Sequence, residues 1–238
     1  MSAEEVSIVR VGAGSFATAY VWQSYNSVVL KKVAEPLQND VLLREYNRLQ
    51  ALYPQVGNEL LFKVPKAMEH FPSYSFFPAG FKDNKQSFVA RIYLGKDCTE
   101  PKRFFNPLNF PLDANRLSQL EVGVPIAEIA RDMGRLLSRI HFKAGFDGRD
   151  IEFVLGGHQS NPLRKIGFYC FDFNQLRTWK SAQDLVDSFL ANDPYYPRPG
   201  HEYWDDFRTG YLLEAANGEK DTEIAEEVLS LLVSRLKQ

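Results

Sequence analysis

Apolar and polar positions change their period along the chain, and the changes predict its elements. A β-branched run over 6–11 leads into Gly12-Ala13-Gly14-Ser15-Phe16-Ala17, and two further runs follow at 18–22 and 28–33. Together they predict three strands, with a turn at 24–27. From Asn39 the spacing becomes helical. Val41, Leu42, Tyr46, Leu49 and Leu52 share a face, with Asn39 or Asp40 as N-cap and Pro54 as the stop. Residues 63–68 and 87–94 predict two more strands around an aromatic and proline-rich loop at 71–81, and 101–113 predicts an irregular connector. The strongest stripe is Ile126, Ile129, Ala130, Met133, Leu136, Leu137 and Ile140, a helix ending at Gly145. Short strands at 153–155 and 167–171 and closing helices at 184–190 and 222–236 complete the pattern. The expected fold is α+β in two lobes: an antiparallel sheet with one helix over 1–95, and a mainly helical lobe over 96–238.

Composition adds limits rather than a function. The 238 residues are 45% hydrophobic and 24% charged, an ordinary globular balance, long enough to bury a core without a disulfide or metal staple. Two cysteines, Cys98 and Cys170, show no pairing pattern and no Cys/His spacing for zinc, so no metal site is expected. No signal peptide or membrane span is expected, which makes a cytoplasmic protein the expectation. A net charge of -2 gives no general attraction to nucleic acid or anionic membrane; neither DNA nor membrane is expected as a partner, and any RNA partner needs a local basic patch.

The glycine-rich turn at Gly12, Gly14 and Ser15 lies between two strands. It reads either as a tight hairpin or as a loop whose backbone N–H groups cover phosphates. Lys31 ends the third strand, and Glu45 on the following helix is its natural ion-pair partner. Asp147, Asp150 and Glu152 precede one short strand and Asp172 with Asn174 follows the next, where loops carrying ligands emerge; the alternatives are a turn and a strand-end cap. His141 reads as a packed interior histidine. Tyr195 sits in a rigid aromatic corner, with stacking on a substrate as the alternative. Lys31 and Lys32 with Arg44 and Arg48 on one side, and Lys102-Arg103 with Arg164-Lys165 on the other, are the candidate phosphate contacts.

Taken in order, the glycine turn, Lys31, Glu45, Asp147 and Asp172-Phe173-Asn174 resemble the phosphate loop, strand lysine, helix glutamate, catalytic aspartate and magnesium-binding aspartate of protein-kinase-like folds. The resemblance implies ATP and magnesium as cofactors. Departures accompany it: Ala17 stands for the third glycine, Glu152 for the metal-binding asparagine, Asn174 for a glycine, and no Ala-Pro-Glu segment follows.

A wider resemblance rests on His141-Phe142-Lys143-Ala144-Gly145, Asp147, the run from Asp150 to Gly156, Asp172-Phe173-Asn174-Gln175 and Asn192-Asp193-Pro194-Tyr195-Tyr196-Pro197-Arg198-Pro199. These look like a fungal family long listed as of unknown function that includes the arginine-containing cyclodipeptide synthases. It implies aminoacyl-tRNAs, arginyl-tRNA among them, as partners, a cyclo-Arg-Xaa diketopiperazine as product and no required cofactor. Asp147, Asp150, Glu152 and Asp172 are then the catalytic candidates, because a guanidinium pairs with carboxylates in a two-pronged geometry. Gly12, Gly14, Ser15, Lys31, Glu45, Asn174 and Tyr195 are the substrate-binding candidates. The alternatives are a small-molecule phosphotransferase and a catalytically inert kinase-like binding module.

Overall fold

The computed structural model describes residues 8–13, 17–22, 29–33, 39–57, 59–68, 90–98, 110–120, 122–157, 166–192 and 194–236. Strands β1 (Ile8–Ala13), β2 (Ala17–Trp22) and β3 (Val29–Val33) form an antiparallel sheet in chain order. The β1–β2 register shifts between Arg10 and Gly12, a bulge that strengthens the local twist just before the turn. Helix α1 (Asn39–Val56) runs past Pro54 rather than stopping there. A proline in the last turn removes one intrahelical bond, and the chain turns out at Gly57, whose φ of 75° suits glycine.

The second sheet differs from the expected layout. Strands β4 (Phe62–Lys63), β5 (Ala90–Ile92), β6 (Phe110–Leu112), β7 (Glu152–Gly157) and β8 (Ile166–Phe171) lie in the order β4-β8-β7-β5-β6. It is mixed, parallel at β4/β8 and β5/β6 and antiparallel between, and draws strands from both sides of residue 95. Strand β6 arises inside the expected irregular connector. Its Pro111 donates no ladder bond, which an edge strand tolerates.

Helices α2 (Ala114–Gln119), α3 (Ile126–Ser138), α4 (Ala182–Ala191), α5 (Trp204–Ala215) and α6 (Glu219–Leu236) complete the described elements. Helix α3 continues into a wide π turn, Arg139–Lys143, closed by Ala144 N–H on Arg139 O at 3.0 Å. Ile129, Met133, Leu136 and Ile140 are fully buried, so the predicted stripe does face the core.

Two glycines let α3 and α5 touch backbone to backbone. A Cβ on Gly134 would sit 2.1 Å from Phe207 O, and one on Gly210 only 1.9 Å from Arg131 O. Gly210→Ala is therefore expected to push the helices apart and cost about 1–3 kcal/mol, read as a lowered urea midpoint. No described helix is long and apolar enough to cross a membrane.

Candidate functional site

Where β3 and α1 meet the ends of β7 and β8, Lys31 Nζ lies 2.8 Å from both Glu45 carboxylate oxygens and 3.1 Å from Asp172 Oδ1. Glu45 is 5% exposed, and a carboxylate so buried costs several kcal/mol unless paired. Burial works against the Lys31 charge, but Glu45 and Asp172 outweigh it and hold the ammonium pKa above its usual value. The ion pair expected from sequence is present, with Asp172 as a third member.

Asp172 leaves β8 in the left-handed backbone region, φ 69° and ψ 62°, and a 3-10 turn over Phe173–Gln175 follows. Asn174 Nδ2 donates to Asp172 Oδ1 at 2.7 Å, and Arg48 Nη1 donates to Asn174 O. Asp150 is also left-handed, φ 62°. A buried asparagine holds it there: Asn192 Oδ1 accepts the Asp150 N–H, while Asn192 Nδ2 donates to Gly148 O at 3.1 Å and Ile151 O at 3.2 Å. Left-handed non-glycine residues cost free energy that only such surroundings sustain.

Glu152 opens β7 and binds Arg91 at 2.7 Å. Arg91 faces Val154 across the β5/β7 ladder, so Glu152 is its diagonal neighbour on the same face. Burial raises the pKa of both Asp150 and Glu152, and the negative charge of Asp172 adds to the rise in each. Gln175 Nε2 donates to Asp150 Oδ2. Asp150 Oδ1 and Asp172 Oδ2 thus keep acceptor capacity that no described hydrogen bond uses.

Asp147 does not join this group. It is 4% exposed, and its Oδ1 accepts backbone N–H bonds from Arg177 at 2.9 Å and Arg149 at 3.2 Å. Its own N–H donates to Arg177 O, and its carbonyl accepts from Ser188 Oγ. Of the four expected acids, Asp150, Glu152 and Asp172 come together, and Asp147 braces the loop beneath them. Sequence order made Asp147 the natural catalytic aspartate; the turn at Gly148 turns the next acid, Asp150, toward Asp172 instead.

His141 is an interior histidine, as expected, 1% exposed. Its Nε2 faces Asp147 O at 3.3 Å and its Nδ1 faces the Tyr211 hydroxyl at 2.7 Å. A carbonyl only accepts, so the partners assign the neutral tautomer protonated on Nε2, with Nδ1 accepting from Tyr211. Burial lowers its pKa from 6.5 to about 3. Between those values the unfolded chain binds a proton that the folded chain refuses, so stability present at neutral pH drains away as pH falls across that window. Urea unfolding from pH 7 to pH 4 should show this slope, and His141→Gln should flatten it; an unchanged slope would contradict the assignment.

The remaining candidates divide. Tyr195 is 8% exposed, edge-on to Tyr93 at 5.0 Å, with its carbonyl accepting Leu94 N–H. It belongs to the core, and its ring face is not offered to a substrate. Gly12 contributes backbone to the β1 bulge. Lys32 follows Lys31 on β3, and strand alternation puts it on the opposite face from α1 and so apart from Arg44. Gly14, Ser15, Lys102, Arg103, Arg164 and Lys165 lie outside the described residues. Arg91 and Asn192 were missed as site residues. A charged residue alternating with buried Ala90 and Ile92 was the available signal for Arg91; for Asn192 the signal was its place at the head of the Asn192-to-Pro199 run.

Residues 168–223 match a family of unknown function, DUF3669, described as "Zinc finger protein". The matched segment holds Asp172, Asn174 and Asn192 but less than half of the chain. No curated protein and no solved structure matches the chain. The residues do not fit zinc: within the segment only Cys170 and His201 are cysteine or histidine, and Cys170 is fully buried in β8. Tetrahedral zinc takes up to four such donors, and no described group of three His, Cys, Asp or Glu could hold a metal.

Proposed function

We propose that the chain is an aminoacyl-tRNA-dependent cyclodipeptide synthase that joins arginine to a second amino acid, on a two-lobed kinase-like scaffold. One observation carries the reading: Asp150 and Asp172 stand within electrostatic reach of each other, each with acceptor capacity left over, beside a lysine already committed to Glu45. Such a pair suits a cation with several donors, and a guanidinium offers five in a planar fork. The sequence resemblance to the arginine-containing synthases supports the same substrate.

The chemistry asks little beyond these groups. The α-ammonium of one aminoacyl ester loses its proton, and Asp150, its pKa raised, is the acceptor. The freed amine attacks the carbonyl of the second ester, a C–N bond forms, the ester C–O bond breaks, and the tRNA 3′-hydroxyl leaves with a proton. The new terminal amine then attacks the remaining ester within the same molecule, closing the ring and releasing the second tRNA. Two ester bonds are exchanged for two amide bonds, so neither ATP nor a metal ion is required. Lys31, 3.1 Å from Asp172 Oδ1, holds that carboxylate in place for the cation.

A second reading, magnesium-dependent phosphoryl transfer from ATP to a small molecule, is favoured by one feature, the Lys31–Glu45 pair reaching Asp172. Incubation with arginyl-tRNA and a mixture of other charged tRNAs, followed by mass spectrometry, separates the two. A cyclo-Arg-Xaa mass is the expected result. Absence of product together with magnesium-dependent ATP turnover would replace the first reading by the second.

A further inference from the structure

The residues around Asp147 bring together arginines from three separate segments. Arg44 and Arg48 sit four apart on α1 and so share a face. Arg149 lies in the turn before Asp150, its Nε 3.6 Å from Asp147 Oδ2 and without a hydrogen bond. Arg177 follows the 3-10 turn, and its backbone pairs in both directions with Asp147. Arg48 reaches the same turn through Asn174 O. Arg44 and Arg177 both lie close enough to Arg48 to oppose its charge electrostatically, in addition to its burial.

Carboxylates do not balance this cluster. Glu45 and Asp172 are claimed by Lys31, and Glu152 by Arg91. Lys31 offsets only one of the two carboxylate charges it touches, so that residual charge with Asp147 and Asp150 faces four guanidinium groups, and one positive charge is in excess. A like-charge pair four apart on a helix is unfavourable by itself, and adding two more arginines compounds it. Features that break a local rule without a compensating partner inside the fold belong to function more often than to stability. The expected compensation is an anion.

We propose that Arg44, Arg48, Arg149 and Arg177 form the site for RNA phosphodiester groups at the acceptor end of the aminoacyl-tRNA. The proposal rests on the aminoacyl-transfer reading and adds the residues that receive the nucleic acid. Charge complementarity selects this ligand. An arginyl-tRNA end carries cationic amine and guanidinium groups on its aminoacyl moiety and phosphates immediately behind, and here an acidic pair adjoins a basic patch, with Arg149 and Asp150 consecutive in the chain. The patch expected from sequence, Lys31 and Lys32 with Arg44 and Arg48, is thereby redrawn: Lys31 is locked in its ion pairs, Lys32 is on the other face of β3, and Arg149 and Arg177 take their place.

The test measures binding of an uncharged RNA minihelix ending in CCA by fluorescence anisotropy across a salt series. Wild-type affinity is expected to fall with salt. Each phosphate contact contributes roughly 0.7 to the log–log slope for single-stranded RNA, so Arg44→Gln with Arg177→Gln, both exposed, should lower the slope by about 1.4 and weaken binding at least tenfold at fixed salt. Arg149→Gln should act in the same direction, and a thermal midpoint within a few degrees of wild type confirms folding of each variant. Unchanged affinity and slope in the folded double variant would overturn the proposal. Arginine-dependent RNA binding without any cyclic dipeptide would sink the activity while leaving this site standing. Full product yield from the double variant would do the reverse.

Discussion

Asparagine at position 150 is expected to lower cyclic dipeptide formation by about 10²–10⁴-fold, the usual contribution of a positioned proton acceptor. The substitution removes the proton-accepting and cation-pairing roles of this carboxylate together while leaving the backbone in place. Asparagine tolerates the left-handed backbone that Asp150 adopts, and its amide oxygen still accepts from Gln175. The bond from the residue 150 N–H to Asn192 Oδ1 uses a main-chain donor at position 150 and is untouched. Folding should therefore be retained, with the thermal midpoint close to wild type, while the group that takes the ammonium proton is gone. Product quantified by mass spectrometry at matched protein concentration gives the comparison. A loss smaller than threefold would remove Asp150 from the chemistry.

The largest expected effect on stability lies away from the site. Glu214 on α5 is 7% exposed and receives Arg139 Nε and Nη2 at 2.8 Å, Arg135 Nε at 2.9 Å and Lys143 Nζ at 3.0 Å. One carboxylate thus pairs with three cations from α3 and its π turn, and those three hold its pKa down to about 2 against the opposing effect of burial. Glu214→Ala leaves Arg139, itself 5% exposed, facing like charges, with only the half-exposed Glu59 carboxylate as an ion-pair partner. Breaking one side of a buried ion pair costs about 3–5 kcal/mol, a large share of the 5–15 kcal/mol that folding typically yields. Urea denaturation should show a midpoint lowered accordingly; a change below about 1 kcal/mol would mean that the arginines find other partners. Wild-type stability should also decline as pH falls from the ordinary glutamate range toward 2, because the unfolded chain then binds the proton that folded Glu214 resists.

What sequence made legible follows from how local each signal is. The three opening strands, the Lys31–Glu45 pair, helix α3 and the acids flanking β7 and β8 rest on short-range periodicity and motif order, and each is present. Helix α5 was missed because Gly210 and Glu214 interrupt its buried stripe of Trp204, Phe207 and Tyr211, although Asp205, Arg208 and Thr209 do face solvent. Strand β6 was hidden by Pro111, a residue that excludes a central strand but not an edge. The roles of Asp147 and Asp150 could not be told apart three residues from each other, since the difference lies in which one receives Arg177 N–H from a distant segment. The basic patch and the Asn192 clamp likewise assemble from separate stretches, and periodicity carries no information about such meetings.

The central claim is that Asp150 and Asp172 receive a cationic aminoacyl group, and binding of arginine amide measured by calorimetry at low salt tests it most directly. The account predicts saturable binding of arginine amide to the wild-type protein, at least tenfold weaker in Asp172→Asn, with norleucine amide, which lacks the guanidinium, binding more weakly still. Equal affinity for the two amides, or an affinity that Asp172→Asn leaves unchanged, would contradict it.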